Sequence, residues 1–286
     1  MADPHLRHRI AVRGQGGGAV LLRTDRRRAV NRPGLWIGTS FKMHKTRAES
    51  VAYAQRLHSA LGEGIAGVRA FVIPSATSLA EVSGALAGGP VLAGAQNAHW
   101  ADQGAWTGEI SVPQAADAGA AIVELGHSER REHFAETDTA VRRKVAACLH
   151  HRLRPLVCCG ERAEVFARGG SVDHVLAQVA AALEGVPEGE DGLGRVLVAY
   201  EPVWAIGESG RPPEPEEIAP VLAALDAEWG GRVSGVLYGG SVGPGNAADL
   251  LRVPGVGGLF VGRSAWDVTG FLEILDRARE YAGSTV

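Results

Sequence analysis

LWIGTSFKMHKT, residues 35–46, is a short apolar run that stops at a lysine. Leu35, Trp36, Ile37 and Phe41 leave no polar face, so the run reads as a strand buried on both sides, the pattern of a parallel strand covered by helices. Such a strand can offer a charged group only at its end. Lys42 stands there, two residues after Ser40. Burying Lys42 unpaired costs several kcal/mol, so it lies at the surface or meets an anion.

The same beat continues outward. RAFVIP, VLAGAQ, AIVEL, PLVCC, RVLVAY, GVLYG and GLFVG follow, each separated by a longer amphipathic or Ala-rich segment. In residues 172–183, Val172, Val175, Leu176, Val179 and Leu183 fall on one stripe at helical spacing. Strands apolar on both faces and joined by helices make an α/β protein with a parallel sheet. Two architectures satisfy this, a doubly wound open sheet and a closed (β/α)8 barrel. Eight candidate strands in roughly 250 residues match the usual size of the barrel.

The 286 residues are 45% hydrophobic and 21% charged, enough for a large core. A formal net charge of −3 provides no whole-chain field toward nucleic acid or membrane. No apolar run has the length needed to span a bilayer. Cys148, Cys158 and Cys159, an odd count with a vicinal pair, make a poor disulfide framework and suit a reducing cytoplasm. Residues 1–33 are rich in Arg and Gly and poor in acids, without the apolar core and cleavage site of a secretory signal. The Gly run and scarcity of Ser also argue against an organelle transit peptide. They read as a mobile tail ahead of a single barrel domain, 34–286.

Polar residues gather where the strands end: Ser40 and Lys42, Gln96 and Asn97, GHSERR, YEPVW, YGGSVG and VGRSAW. Each alone has a plain structural explanation. A lone histidine is usually a satisfied core or surface group, a strand-end glutamate a solvated charge or helix cap, and a glycine a turn residue. Their joint arrival at the ends of successive strands points to a site.

GAQN with GAWTGEIS, GHSERR, CGE, AYEPVWAIG and YGGSV stand in the order and at the spacing of the triosephosphate isomerase family, which the chain resembles from Leu35 to about Phe271. The resemblance implies the (β/α)8 barrel and a cofactor-free, metal-free isomerase of a small sugar phosphate. It implies that Glu201 is the base and His127 the neutral electrophile, whose imidazolium is disfavoured at a helix N-terminus. Lys42 would balance phosphate and enediolate charge, with Glu129 as its counter-charge. Gly240 and Ser241, and Gly262 after the eighth strand, would supply backbone donors to the phosphate. Residues 202–211, PVWAIGESGR, resemble the family's lid, closing on the phosphate through the Gly207 amide. GAWTGE, residues 104–109, resembles the loop that inserts into a neighbouring subunit, so a homodimer is expected, with Thr107 completing the partner's site.

Three departures fall on the substrate side. Ser40 stands where the family has an asparagine, Arg263 follows Gly262 where a second glycine is usual, and the far hinge of the lid reads ESGRPPEP. Base, electrophile and lysine are retained. This combination resembles the branch that interconverts L-erythrulose 1-phosphate and D-erythrulose 4-phosphate. The former is dihydroxyacetone phosphate with one more hydroxymethyl group, for which Ser40 would leave room and Arg263 would supply a polar partner. Triosephosphate isomerase activity itself and a non-catalytic sugar-phosphate-binding barrel are the alternatives. Glu124, inside the fourth apolar run, needs a partner that the sequence does not name.

Other chemistries lack their parts. GGSVG matches a nucleophile elbow, but the last histidine, His174, precedes Ser241, against the Ser–acid–His order of that fold. No G-x-G-x-x-G follows a strand. His150 and His151 share no helix face and have no ligand spacing to other Cys or His, so no metal is implied.

Overall fold

The computed structural model describes residues 34–206 and 211–284. The proposed tail, residues 1–33, and Gly207 lie outside the described residues. Eight strands close in chain order into a parallel barrel: β1 Leu35–Ser40, β2 Val68–Ile73, β3 Val91–Ala95, β4 Ile122–Leu125, β5 Arg154–Cys159, β6 Leu197–Tyr200, β7 Gly235–Tyr238 and β8 Gly258–Val261. All eight runs read from the sequence are strands, and β1 pairs with β8 to close the sheet. The open-sheet alternative is thereby excluded.

Helices α1 Arg47–Leu61, α2 Leu79–Leu86, α3 Val112–Asp117, α4 Ser128–His133 and α5 Asp138–His150 join the first five strands. They are followed by α6 Ala163–Ala167, α7 Ser171–Leu183, α8 Pro215–Trp229, α9 Ala247–Arg252 and α10 Val268–Ser284. Their starts are encoded locally. Thr46 and Glu49 form a capping box at α1, Ser111 and Gln114 another at α3, and the Thr137 hydroxyl accepts from the Ala140 amide at α5. The stripe expected over residues 172–183 is α7, with Val175, Val179 and Leu183 buried.

The core has two layers. Alternate residues such as Ile37, Val72, Val123, Val157, Val198 and Tyr238 pack outward against the helices. Trp36, Phe71, Ile73, Ile122, Leu156, Cys158, Leu197, Ala199, Leu237 and Phe260 fill the barrel. Gly38 is required here, because a β-carbon on it would lie 2.0 Å from the Phe71 ring. That ring stacks on Phe260 at 5.8 Å and meets Trp36 edge-on at 6.2 Å. The barrel is thus plugged below by aromatic groups, and the substrate side of the fold is its carboxyl-terminal mouth.

Glu124 departs from this division. It pairs with Leu156 across β4 and β5 and lies two residues beyond Ile122, so it shares the inward face of both. A carboxyl group therefore stands inside the barrel, where the sequence left open a position among the helices. Among the described residues, no helix is long and apolar enough to cross a membrane.

Candidate active site

Lys42, His127, Glu129 and Glu201 meet at the carboxyl-terminal mouth. Lys42 takes a left-handed backbone conformation, φ 50°, uncommon for a residue with a β-carbon. The Gln96 side-chain amide donates to the Lys42 carbonyl at 2.8 Å and holds that turn, while Trp266 Nε1 donates to the Ser40 carbonyl at 3.0 Å. Lys42 Nζ reaches Glu129 Oε1 at 2.7 Å. Burial by itself would depress the ammonium, but the hydrogen bond to Glu129 and the field of Glu201 outweigh it, and the lysine is raised above its ordinary value. It is charged throughout the neutral range.

His127 caps α4. Its Nδ1 accepts from the Glu129 amide at 3.2 Å, so the proton of the neutral ring sits on Nε2. Nε2 lies 3.6 Å from Glu201 Oε2. Burial, then the charge of Lys42, pushes the imidazole down to about 4, and it is a neutral N–H donor at pH 7. The preceding Gly126 is held by a buried pair: its amide donates to Glu136 Oε2 at 3.2 Å, and Lys144 binds both Glu136 Oε1 and, at 2.9 Å, Asn97 Oδ1. Asn97, prominent in the sequence, serves this support and not the cluster itself.

Glu201 follows β6 and is buried, with Oε2 lacking a hydrogen-bond partner. Burial first, then the carboxyl of Glu124, raises it from the ordinary 4.5 to about 8, against the opposing field of Lys42 and a hydrogen bond from Cys158. An oxygen free of protein partners and unwilling to stay charged is a strong proton acceptor. Gly239 makes room for it: a β-carbon there would sit 2.8 Å from Glu201 Cγ and 3.1 Å from Oε1. Gly239→Ala is therefore expected to displace the carboxylate and lower kcat by about tenfold to a hundredfold. Circular dichroism should be unchanged, because the flexible carboxylate yields before the backbone does.

Across the mouth, the Asn246 side chain donates to the Ser241 carbonyl at 2.9 Å and accepts from the Gly243 amide at 2.8 Å, fixing the turn after β7. Gly240 has no space for a β-carbon, which would lie 2.1 Å from the Tyr238 hydroxyl. Gly262 opens a short 3-10 turn at Arg263–Ala265, with open space beside its α-carbon. The near end of the loop after Glu201 is anchored by Trp204, whose Nε1 donates to the buried Glu161 at 2.8 Å while its ring stacks on Phe166 at 4.2 Å. Arg211 lies over the same indole at 5.0 Å. Thr107 and Arg263 are exposed, and among the described residues neither has a hydrogen bond to the buried cluster. Ser40 is buried beside Glu124.

The sequence model of the family described as triosephosphate isomerase matches residues 35–278. The chain belongs to the triosephosphate isomerase family. Its similarity is high to two proteins named L-erythrulose-1-phosphate isomerase. That of Mycolicibacterium smegmatis is 54% identical over 253 residues, 88% of this chain and 95% of its own. That of Mesorhizobium japonicum is 49% identical, covering 85% of this chain and 96% of its own. The solved triosephosphate isomerase of Bartonella henselae superposes with a TM-score of 0.77 at 31% identity, covering 87% of this chain and all of that one.

The triosephosphate isomerase fold thus places two carboxyls with raised affinity for protons in one buried mouth, Glu201 at about 8 and Glu124 at about 7. Both are ordinarily near 4.5, so between these values the folded protein holds protons that the unfolded chain has released. The stability they contribute is complete below pH 4.5 and is lost as pH rises through 7 and 8. Glu201→Gln, which cannot ionise, is expected to melt several degrees above the parent at about pH 9 and close to it at about pH 5. Equal differences at both pH values in a calorimetric scan would mean that Glu201 ionises freely.

Proposed function

We propose that the protein is an isomerase that interconverts L-erythrulose 1-phosphate and D-erythrulose 4-phosphate by proton transfer through an enediolate. The observation that carries the chemistry is the placement of a neutral imidazole Nε2–H 3.6 Å from an unpartnered carboxylate oxygen, with a lysine ammonium in the same mouth. Glu201 takes the proton from carbon 3 of the ketose. The C–H electron pair forms the carbon 2–carbon 3 double bond, and negative charge passes to the carbonyl oxygen. His127 Nε2–H stabilises that oxygen and passes protons between the two oxygens, and Lys42 lowers the energy of the charged intermediate. Return of the proton from Glu201 to carbon 2 and loss of the hydroxyl proton at carbon 3 give the isomer. No atom is gained or lost.

Glu129 keeps Lys42 and the His127 tautomer in place. Ser241, Gly240 and Gly262 offer backbone donors to the phosphate, with the Gly207 amide from the lid. The identity to relatives named L-erythrulose-1-phosphate isomerase and the small, buried Ser40 support the tetrulose as substrate.

The enzyme is proposed to act as a cytoplasmic homodimer, with Thr107 entering the partner's mouth. Trp106 beside it is 49% exposed and braced on His99, with ring centroids 4.4 Å apart, which holds an aromatic side chain at the surface of this loop. Side-by-side kcat/KM values on L-erythrulose 1-phosphate and glyceraldehyde 3-phosphate test the assignment. A preference for the tetrulose supports it. A preference for the triose makes this chain a triosephosphate isomerase with a tolerated serine at position 40.

A further inference from the structure

We propose that Glu124 is the group that recognises the extra hydroxymethyl of the substrate, accepting a hydrogen bond from its terminal hydroxyl beside Ser40. The inference rests on the tetrulose reading and adds a residue to it.

Glu124 is 3% exposed on the inward face of β4. Its neighbours within the barrel are apolar: Ile122 precedes it on the strand, Leu156 pairs with it, and Ile73, Cys158 and Ala199 belong to the same cluster. A carboxyl there serves no packing purpose. Leaving a buried polar oxygen unsatisfied costs about 1–3 kcal/mol, and more for a charged one. The protein satisfies only part of it, since the Ser40 hydroxyl interacts with the group while Oε2 has no partner.

What the carboxyl faces identifies the missing donor. Lys42, Glu129, Glu201 and Arg130 all lie close enough for their charges to act on it or on the base beside it, so it belongs to the floor of the reaction mouth. It is not the anion site, because a carboxylate repels phosphate and Lys42 is the cation. It is not the base, because Glu201 is the carboxylate set against His127 Nε2. A neutral hydroxyl donor fits both restrictions. The tetrulose differs from the triose by one CH2OH on the carbon that loses its proton, which brings one such donor to the neighbourhood of Glu201. Ser40 is small and buried and bonds the carboxyl, so less of this face is filled than by a longer side chain. Arg263, which the sequence offered as the polar partner, is exposed on the rim.

A site built to bond a hydroxyl rejects the analogue that lacks it far more strongly than a pocket that senses size alone, because the polar group is then left unpaired. The test uses the full-length enzyme with three substrates: L-erythrulose 1-phosphate, its 4-deoxy analogue and glyceraldehyde 3-phosphate. The wild type is expected to lose about a hundredfold or more in kcat/KM on the 4-deoxy analogue. Glu124→Leu also relieves Glu201 and so acts on both substrates, but it should lose at least about a hundredfold more on the tetrulose than on the triose, and should no longer separate tetrulose from its deoxy analogue. Glu124→Gln keeps the shape and an acceptor oxygen, and should fall between the two.

Equal losses of Glu124→Leu on tetrulose and triose would overturn the proposal, pointing to a general role beside Glu201. So would a wild type that turns over the 4-deoxy analogue within threefold of the parent, a result that needs no variant to fold. Wild-type preference for the triose would remove the substrate reading and this inference together. Preference for the tetrulose without discrimination of its hydroxyl would remove this inference alone.

Discussion

Shortening the proposed base, Glu201→Asp, is expected to lower kcat by about a thousandfold with KM changed only a few-fold. The carboxylate approaches His127 Nε2 to 3.6 Å and has no second anchor on Oε2, so its reach sets the distance to the carbon acid. Removing one methylene withdraws the oxygen by more than 1 Å, and misplacement on that scale costs about a hundredfold before any change in basicity is counted. The shorter acid also leaves beside Gly239 the space that the Glu201 side chain now fills. Steady-state kinetics check the result. A rate near that of the wild type would assign the base elsewhere.

Lys42→Met is expected to reduce kcat/KM by at least about a thousandfold, with most of the loss appearing in both kcat and KM. The ammonium is the positive charge bonded to Glu129, and its removal leaves that carboxylate facing the incoming phosphate. The damage reaches His127 as well. Lys42 lowers the imidazole and Glu129 raises it, so loss of the lysine alone drives the ring toward the imidazolium. Inorganic phosphate, used as a competitive inhibitor, should bind at least about tenfold more weakly. Lys42→Arg should rescue little, since a planar fork cannot take the place of a compact ammonium on a strained turn. Unchanged phosphate inhibition in Lys42→Met would place the anion away from Lys42.

The architecture was legible because the strands are predominantly apolar on both faces and most are followed by polar residues, so the eight runs could be counted without knowing their order. Lys42, His127 and Glu201 were legible for a related reason: each stands at or just beyond the carboxyl end of its strand, where solvent and helix both allow a charge. Glu124 was not. In a strand covered on both sides, alternation does not say which face looks into the barrel, and only pairing with Leu156 settles it.

The support beneath His127 was hidden for another reason. Glu136 and Lys144 lie well beyond the GHSERR motif, and Glu136 folds back onto the Gly126 amide through a tertiary contact that no local pattern encodes. Arg263 shows the converse. Its place after β8 drew attention in the sequence, yet the side chain is exposed, and the buried polar group beside Ser40 comes from β4.

Proton transfer by Glu201 is tested most directly by running the reaction on L-erythrulose 1-phosphate in D2O and following deuterium at carbons 2 and 3 by NMR. The wild type should place solvent deuterium on the carbon that receives the proton, and Glu201→Gln should slow that incorporation by at least about a thousandfold. Wild-type turnover without any solvent deuterium on carbon, or incorporation that persists in Glu201→Gln, would contradict it.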